Sequence, residues 1–153
     1  MTPDIKLTDH FWLSEFLRSE TADRLGIDNT PPERIIDALR YNASCLEAVR
    51  TLLAAPLHVS SGFRCLSLNR VLRSKDTSAH VRGLATDFEA PGFGTPLEIC
   101  RAIKASDITF DQLIFEHTWV HIGWATPGTG SRREVLTLLN GGAYAPGIIA
   151  RAP

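Results

Sequence analysis

The stretch Ser78-Ala-His-Val-Arg-Gly-Leu-Ala-Thr-Asp87 constrains this chain most, because its chemistry is completed only far downstream, in Trp119-Val-His121. His80, Asp87 and His121 are the side-chain types that ligate zinc. Two imidazoles and one carboxylate fill three corners of a tetrahedral site and leave the fourth to water. That is the layout of a catalytic centre, not of a closed structural one. A fold that satisfies this reading must bring the two distant segments onto one ion.

His80 and Asp87 are seven residues apart, a spacing that one helix face would also allow. Gly83 and the alternation of Ala85, Asp87 and Glu89 with Thr86 and Phe88 predict a loop followed by a strand instead. Gly83 would permit a sharp turn or a positive φ between the two ligands. The duller reading is a surface histidine and a strand-end carboxylate. An Asp in an otherwise apolar strand argues against it, since a buried carboxylate needs a cation or several donors. On the downstream strand, Trp119, His121 and Gly123 share one face, and Val120, Ile122 and Trp124 the other, read as the core side. A lone strand histidine is more often a hydrogen-bonded structural residue, and Trp119 could be core filling as readily as a cleft wall.

Zinc chemistry needs a base beside the water it acidifies, to pass a proton to the leaving amine. Glu116 is the best-placed carboxylate in the sequence and His117 the alternative; both could equally be solvated turn residues. Arg64, in Ser61-Gly-Phe-Arg64, could hold a substrate carboxylate or a developing oxyanion, or form a plain surface ion pair. Ser78 could bind substrate or orient the loop.

Around these motifs the apolar periodicity predicts a helix over 14–25 stopped at Gly26, and a long amphipathic helix over 32–54. Thr30 is the candidate cap of the long helix, with Glu33 completing a capping-box pattern. A strand over 57–60 follows, then a helix over 67–73 with Leu68, Val71 and Leu72 inward. Next come a strand over 84–90 and a helix opened by Thr95 and Pro96 through about 105. Two apolar runs, 110–116 and 119–124, flank His117-Thr118 as a hairpin, although His-Thr is not favoured turn chemistry. A last strand over 133–139 leads to an Asn140-Gly-Gly turn and a loosely held tail through Pro153.

At 153 residues, the chain is read as one domain, 1–153: a helical part to 55, a motif-bearing part over 57–124, and a C-terminal strand and tail. The net charge of −1, with no basic run, predicts neither nucleic-acid nor membrane partners. No window of 18 apolar residues exists. The first ten residues lack an apolar signal core, so synthesis in the cytoplasm without a signal peptide is expected. Cys45, Cys65 and Cys100 are far apart and odd in number, which predicts reduced, packed thiols.

Taken together, Ser78, His80, Gly83, Ala85 and Asp87, followed by Trp119 and His121 and preceded by Ser61 to Arg64, form an extended motif. It resembles that of the zinc D-alanyl-D-alanine carboxypeptidases and dipeptidases, and of the L-alanyl-D-glutamate peptidases of phage endolysins. The likeness covers residues 57–124. It implies an α+β fold, with a small antiparallel sheet carrying the zinc site and helices packed on one side. It also implies one zinc ion on His80, Asp87 and His121, substrate or transition-state contact at Arg64, and peptidoglycan stem peptides as substrate. One departure stands out: many members carry Asp or Glu three residues before the last ligand, where this chain has Thr118.

The expectation is therefore a zinc metallopeptidase, with Glu116, Arg64 and His117 as catalytic candidates and Arg64, Ser78 and Trp119 as substrate contacts. It would act on the cell wall as a phage or prophage enzyme, after holin-type release or as a virion component. The rival is a non-catalytic, zinc-stabilised binding module, as in the similar signalling domain of Hedgehog proteins. A third possibility is a metal-free domain with His80 and His121 far apart.

Overall fold

The computed structural model describes residues 3–150. Its elements run α1 (Leu13–Leu17), α2 (Glu20–Leu25), α3 (Glu33–Leu53), β1 (His58–Ser61), α4 (Leu66–Val71), β2 (Ala85–Glu89), α5 (Pro96–Ala105), β3 (Gln112–Phe115), β4 (Val120–Gly123), β5 (Glu134–Leu138) and β6 (Tyr144–Pro146). Contacts group into two compact units, one of residues 1–47 and 59–86, the other of 48–58 and 87–153.

In the first unit the helix expected over 14–25 is two helices. Ser19 breaks the run by turning extended and capping α2, its hydroxyl accepting from Ala22 N–H at 3.2 Å. Gly26 ends α2 in the left-handed region, as its position predicts. Helix α3 forms where the long amphipathic pattern places it, with Ile35, Leu39, Ala43 and Leu46 buried. Pro32, not Thr30, supplies the first accepting carbonyl, to Ile35 and Ile36 N–H. In α4 only Leu68 and Asn69 turn inward, while Val71 and Leu72 are exposed, against expectation. Six residues present too little surface to bury a wider stripe. Asn69 also binds the Ser74–Lys75 loop through both its backbone and its side chain, which fixes the inward face.

In the second unit Thr95 and Glu98 close a reciprocal capping box with Pro96 in the first turn, which starts α5. Strands β3 and β4 form the expected hairpin, with Phe115 opposite Val120 and Gln112 opposite Gly123. His117 adopts φ +63°, the sign a tight hairpin asks of its first turn residue.

The sheet differs from the expected small antiparallel one. It has six strands in the order β1-β2-β4-β3-β5-β6, and β5 runs parallel to β3. The physical cause lies in residues 124–133, which are long enough to carry the chain past the start of β3. Asp111 takes a forked bond from the Arg132 guanidinium at 2.8–3.1 Å. The Arg133 guanidinium stacks 4.4 Å over the Phe110 ring and donates to the carbonyls of Lys104, Ser106 and Ile108. These two arginines fix β5 beside β3 in parallel. The tail expected to be loose folds back as β6, antiparallel to β5, after Gly141 and Gly142 at φ +88°. Residues 151–153 of that expected tail lie outside the described ones.

Candidate metal centre

His80, Asp87 and His121 come together. All three are buried, none more than 8% exposed, and one ligand-type atom from each lies within 4.8 Å of the others. The donor set fits a zinc ion: borderline imidazole nitrogens and one carboxylate oxygen, removed from solvent.

Each ligand is aimed by its surroundings. His80 sits in the turn over 78–83, where its N–H meets the Ser78 hydroxyl at 3.3 Å. Its Nδ1 stands 2.7 Å from the Gly62 carbonyl. A carbonyl only accepts, so Nδ1 carries the proton and Nε2 the lone pair that a metal requires. Gly62 in turn packs against α1 so closely that a Cβ there would lie 2.7 Å from Phe16 Cβ. Phe63 N–H also bonds the Phe16 carbonyl at 2.8 Å. The following turn passes through Gly83 at φ +72°, with Ile35 3.1 Å from where a Cβ would stand; no other residue satisfies both demands. Asp87 then emerges in β2, whose first four residues are all buried, both faces being covered. Its Oδ1 lies 2.9 Å from His121 Nδ1. Two ligand atoms on one tetrahedral zinc would stand about 3.3 Å apart, given Zn–N and Zn–O lengths near 2.0–2.1 Å.

The remaining candidates divide. Ser78 serves the loop, through its bond to His80 N–H. Arg64 is tied to both neighbours of the site: its Nε donates to the Ser61 hydroxyl at 3.1 Å, and its backbone N–H bonds the His80 carbonyl at 3.2 Å. Glu116 accepts a hydrogen bond from the Trp119 indole N–H. Its negative charge, together with burial, pushes the Cys100 thiol up to about 12, burial being the larger cause. Trp119 is exposed and does not fill the core. His117 turns toward β5, with Nε2 2.7 Å from the Leu138 carbonyl and its ring 4.6 Å from that of Phe115.

The sequence reading passed over two side chains. Asn29 ties the loop over 62–65, donating to the Leu17 and Phe63 carbonyls and accepting from Cys65 N–H. Asn42 lies wholly buried on α3, bonded to the segment between the first two ligands. A polar residue inside the apolar stripe Leu39–Ala43–Leu46 was the signal for Asn42. Asn29, in the Asp28-Asn29-Thr30 linker, carried none.

Residues 9–123 match the family model of Peptidase M15. No curated protein matches the chain.

Proposed function

Because the chain belongs to the peptidase M15 family of zinc peptidases, we propose that it hydrolyses peptide bonds in peptidoglycan stem peptides containing D-amino acids. The observation that carries this reading is the buried convergence of His80, Asp87 and His121. A zinc ion held there supplies Lewis acidity to the scissile carbonyl and acidity to the attacking water.

The chain's own residues do the rest. Glu116 takes the proton of the attacking water and delivers it to the leaving amine. Its bond to the Trp119 indole orients the carboxylate for that transfer. His117 is the weaker candidate, because its ring packs on Phe115 and its Nε2 faces the Leu138 carbonyl, which turns it toward β5. Arg64, aligned by Ser61, meets the substrate carboxylate or the oxyanion. Trp119 offers an exposed ring as a wall for the peptide. Loops 91–96 and 125–131 set the choice among D-Ala-D-Ala, L-Ala-D-Glu and crosslink bonds. Motif likeness to endolysin peptidases supports a phage or prophage lytic enzyme or a virion component.

The test is purified peptidoglycan with zinc-loaded protein and with chelator. New amino groups should appear only with zinc, and Glu116→Gln should lower kcat by about 10²–10⁴-fold while leaving the zinc content unchanged. If walls of several chemotypes yield no amino groups, the enzyme reading fails. Thr118, exposed in the hairpin turn where the family often has an acid, supports the second reading, a zinc-stabilised binding module. That reading predicts full zinc loading, a higher melting temperature and no cleavage.

A further inference from the structure

We propose that Asn42 is a positioning residue for the metal centre, setting the separation of His80 and Asp87 through the backbone segment between them. The inference rests on the zinc-site reading above. Asn42 is fully buried on α3. Its Nδ2 donates to the carbonyls of Gly83 and Ala85, each at 3.2 Å. Its Oδ1 accepts from the Thr86 hydroxyl at 3.0 Å. One amide thus grips three of the six residues between the two ligands, including the glycine at the turn and the residue next to Asp87.

The arrangement suits a fixed distance between ligands. The carbonyls of Gly83 and Ala85 meet α3, whose own backbone groups are paired within the helix, and the Asn42 amide is a donor that reaches both. A carboxylate at position 42 could accept from Thr86 but could not donate to the carbonyls, and an apolar residue could do neither. Among common side chains of this size, a primary amide meets both demands. The two carbonyls select the amide orientation, since they only accept and so require Nδ2, which leaves Oδ1 to accept from the Thr86 hydroxyl. Groups behind metal ligands typically change metal affinity by 10- to 100-fold when removed.

The experiment compares wild type, Asn42→Leu, Thr86→Val and Thr86→Ser. Zinc affinity is read by competition with a chromophoric chelator, the visible absorption of the Co(II)-substituted protein at saturation, and folding by circular dichroism of the metal-free form. Asn42→Leu and Thr86→Val should lose about 10- to 100-fold in zinc affinity and shift the Co(II) bands, while Thr86→Ser restores both. General destabilisation would not move the bands of saturated, folded protein. If Asn42→Leu does not fold, the Thr86→Val and Thr86→Ser pair decides alone. Wild-type affinity and bands in the folded variants would overturn the role of Asn42 and leave the zinc site standing. Wild-type protein that takes up neither zinc nor cobalt would overturn both.

Discussion

Asp87 Oδ1 and His121 Nδ1 lie 2.9 Å apart, buried, and 34 residues distant in the chain. At that separation two lone-pair atoms need a proton or a cation between them. Sealing an ionised carboxylate away from water without a counter-charge costs several kcal/mol. The pair is thus held by a proton in the hydrogen bond between them, or by a metal ion if the His80, Asp87 and His121 group takes one.

Metal removal should therefore cost stability as well as any activity. One zinc per chain is expected by elemental analysis. With free zinc at 100 times its dissociation constant, the folded state gains about 2.7 kcal/mol, seen as a higher melting temperature that chelator reverses. Asp87→Ala and His121→Ala should abolish stoichiometric uptake. Retained one-to-one binding in either variant would remove that residue from the ligand set.

Gly62→Ala should disturb the site from a distance. The new methyl would stand 2.7 Å from Phe16 Cβ and 2.8 Å from Phe16 Cα, so the loop or α1 must move. Overpacking of this kind costs about 1–3 kcal/mol, measurable as a lower urea midpoint. Because the Gly62 carbonyl holds His80 Nδ1, zinc affinity should fall with it. A normal urea midpoint would mean that the close approach is relieved without cost.

The two arginines before β5 should respond differently. Arg133→Lys loses the stacking on Phe110 and the fork of bonds to the end of α5, for about 1–2 kcal/mol. Arg132→Lys keeps a charge beside Asp111 on the exposed surface and should cost less than about 1 kcal/mol. Denaturant titration of both variants checks the order, and the reverse order would sink the account of how β5 is held.

The buried thiol carries a pH signature. Burial holds Cys100 protonated to about 12, well above the ordinary thiol value of 9.0 at which it titrates in the unfolded chain. The unfolded state thus loses its proton first, and this contribution to stability falls as pH rises above that lower value. Burial raises Cys45 as well. At pH 8 an aromatic disulfide reagent should leave Cys100 untouched in native protein and modify all three cysteines after denaturation. Peptide mapping that finds Cys100 labelled in the native state would contradict its burial.

The candidate ligand group was legible in the sequence because zinc chemistry restricts residue type and because the Gly83 turn and the 110–124 hairpin are written in local patterns. Helix α3 was legible for the same reason, its period being the helical one over 21 residues. Periodicity states which face is buried but not which neighbour covers it. The parallel pairing of β5 with β3, the return of β6, and the break between α1 and α2 all depended on partners distant in the chain. So did the His80 tautomer, set by a carbonyl 18 residues upstream, and the grip of Asn42 on the segment between the ligands. The sequence by itself determined which atoms could bind the metal. Only the tertiary structure decided how they are held at a common distance, because that distance is set by hydrogen bonds and close packing between segments that local patterns do not relate.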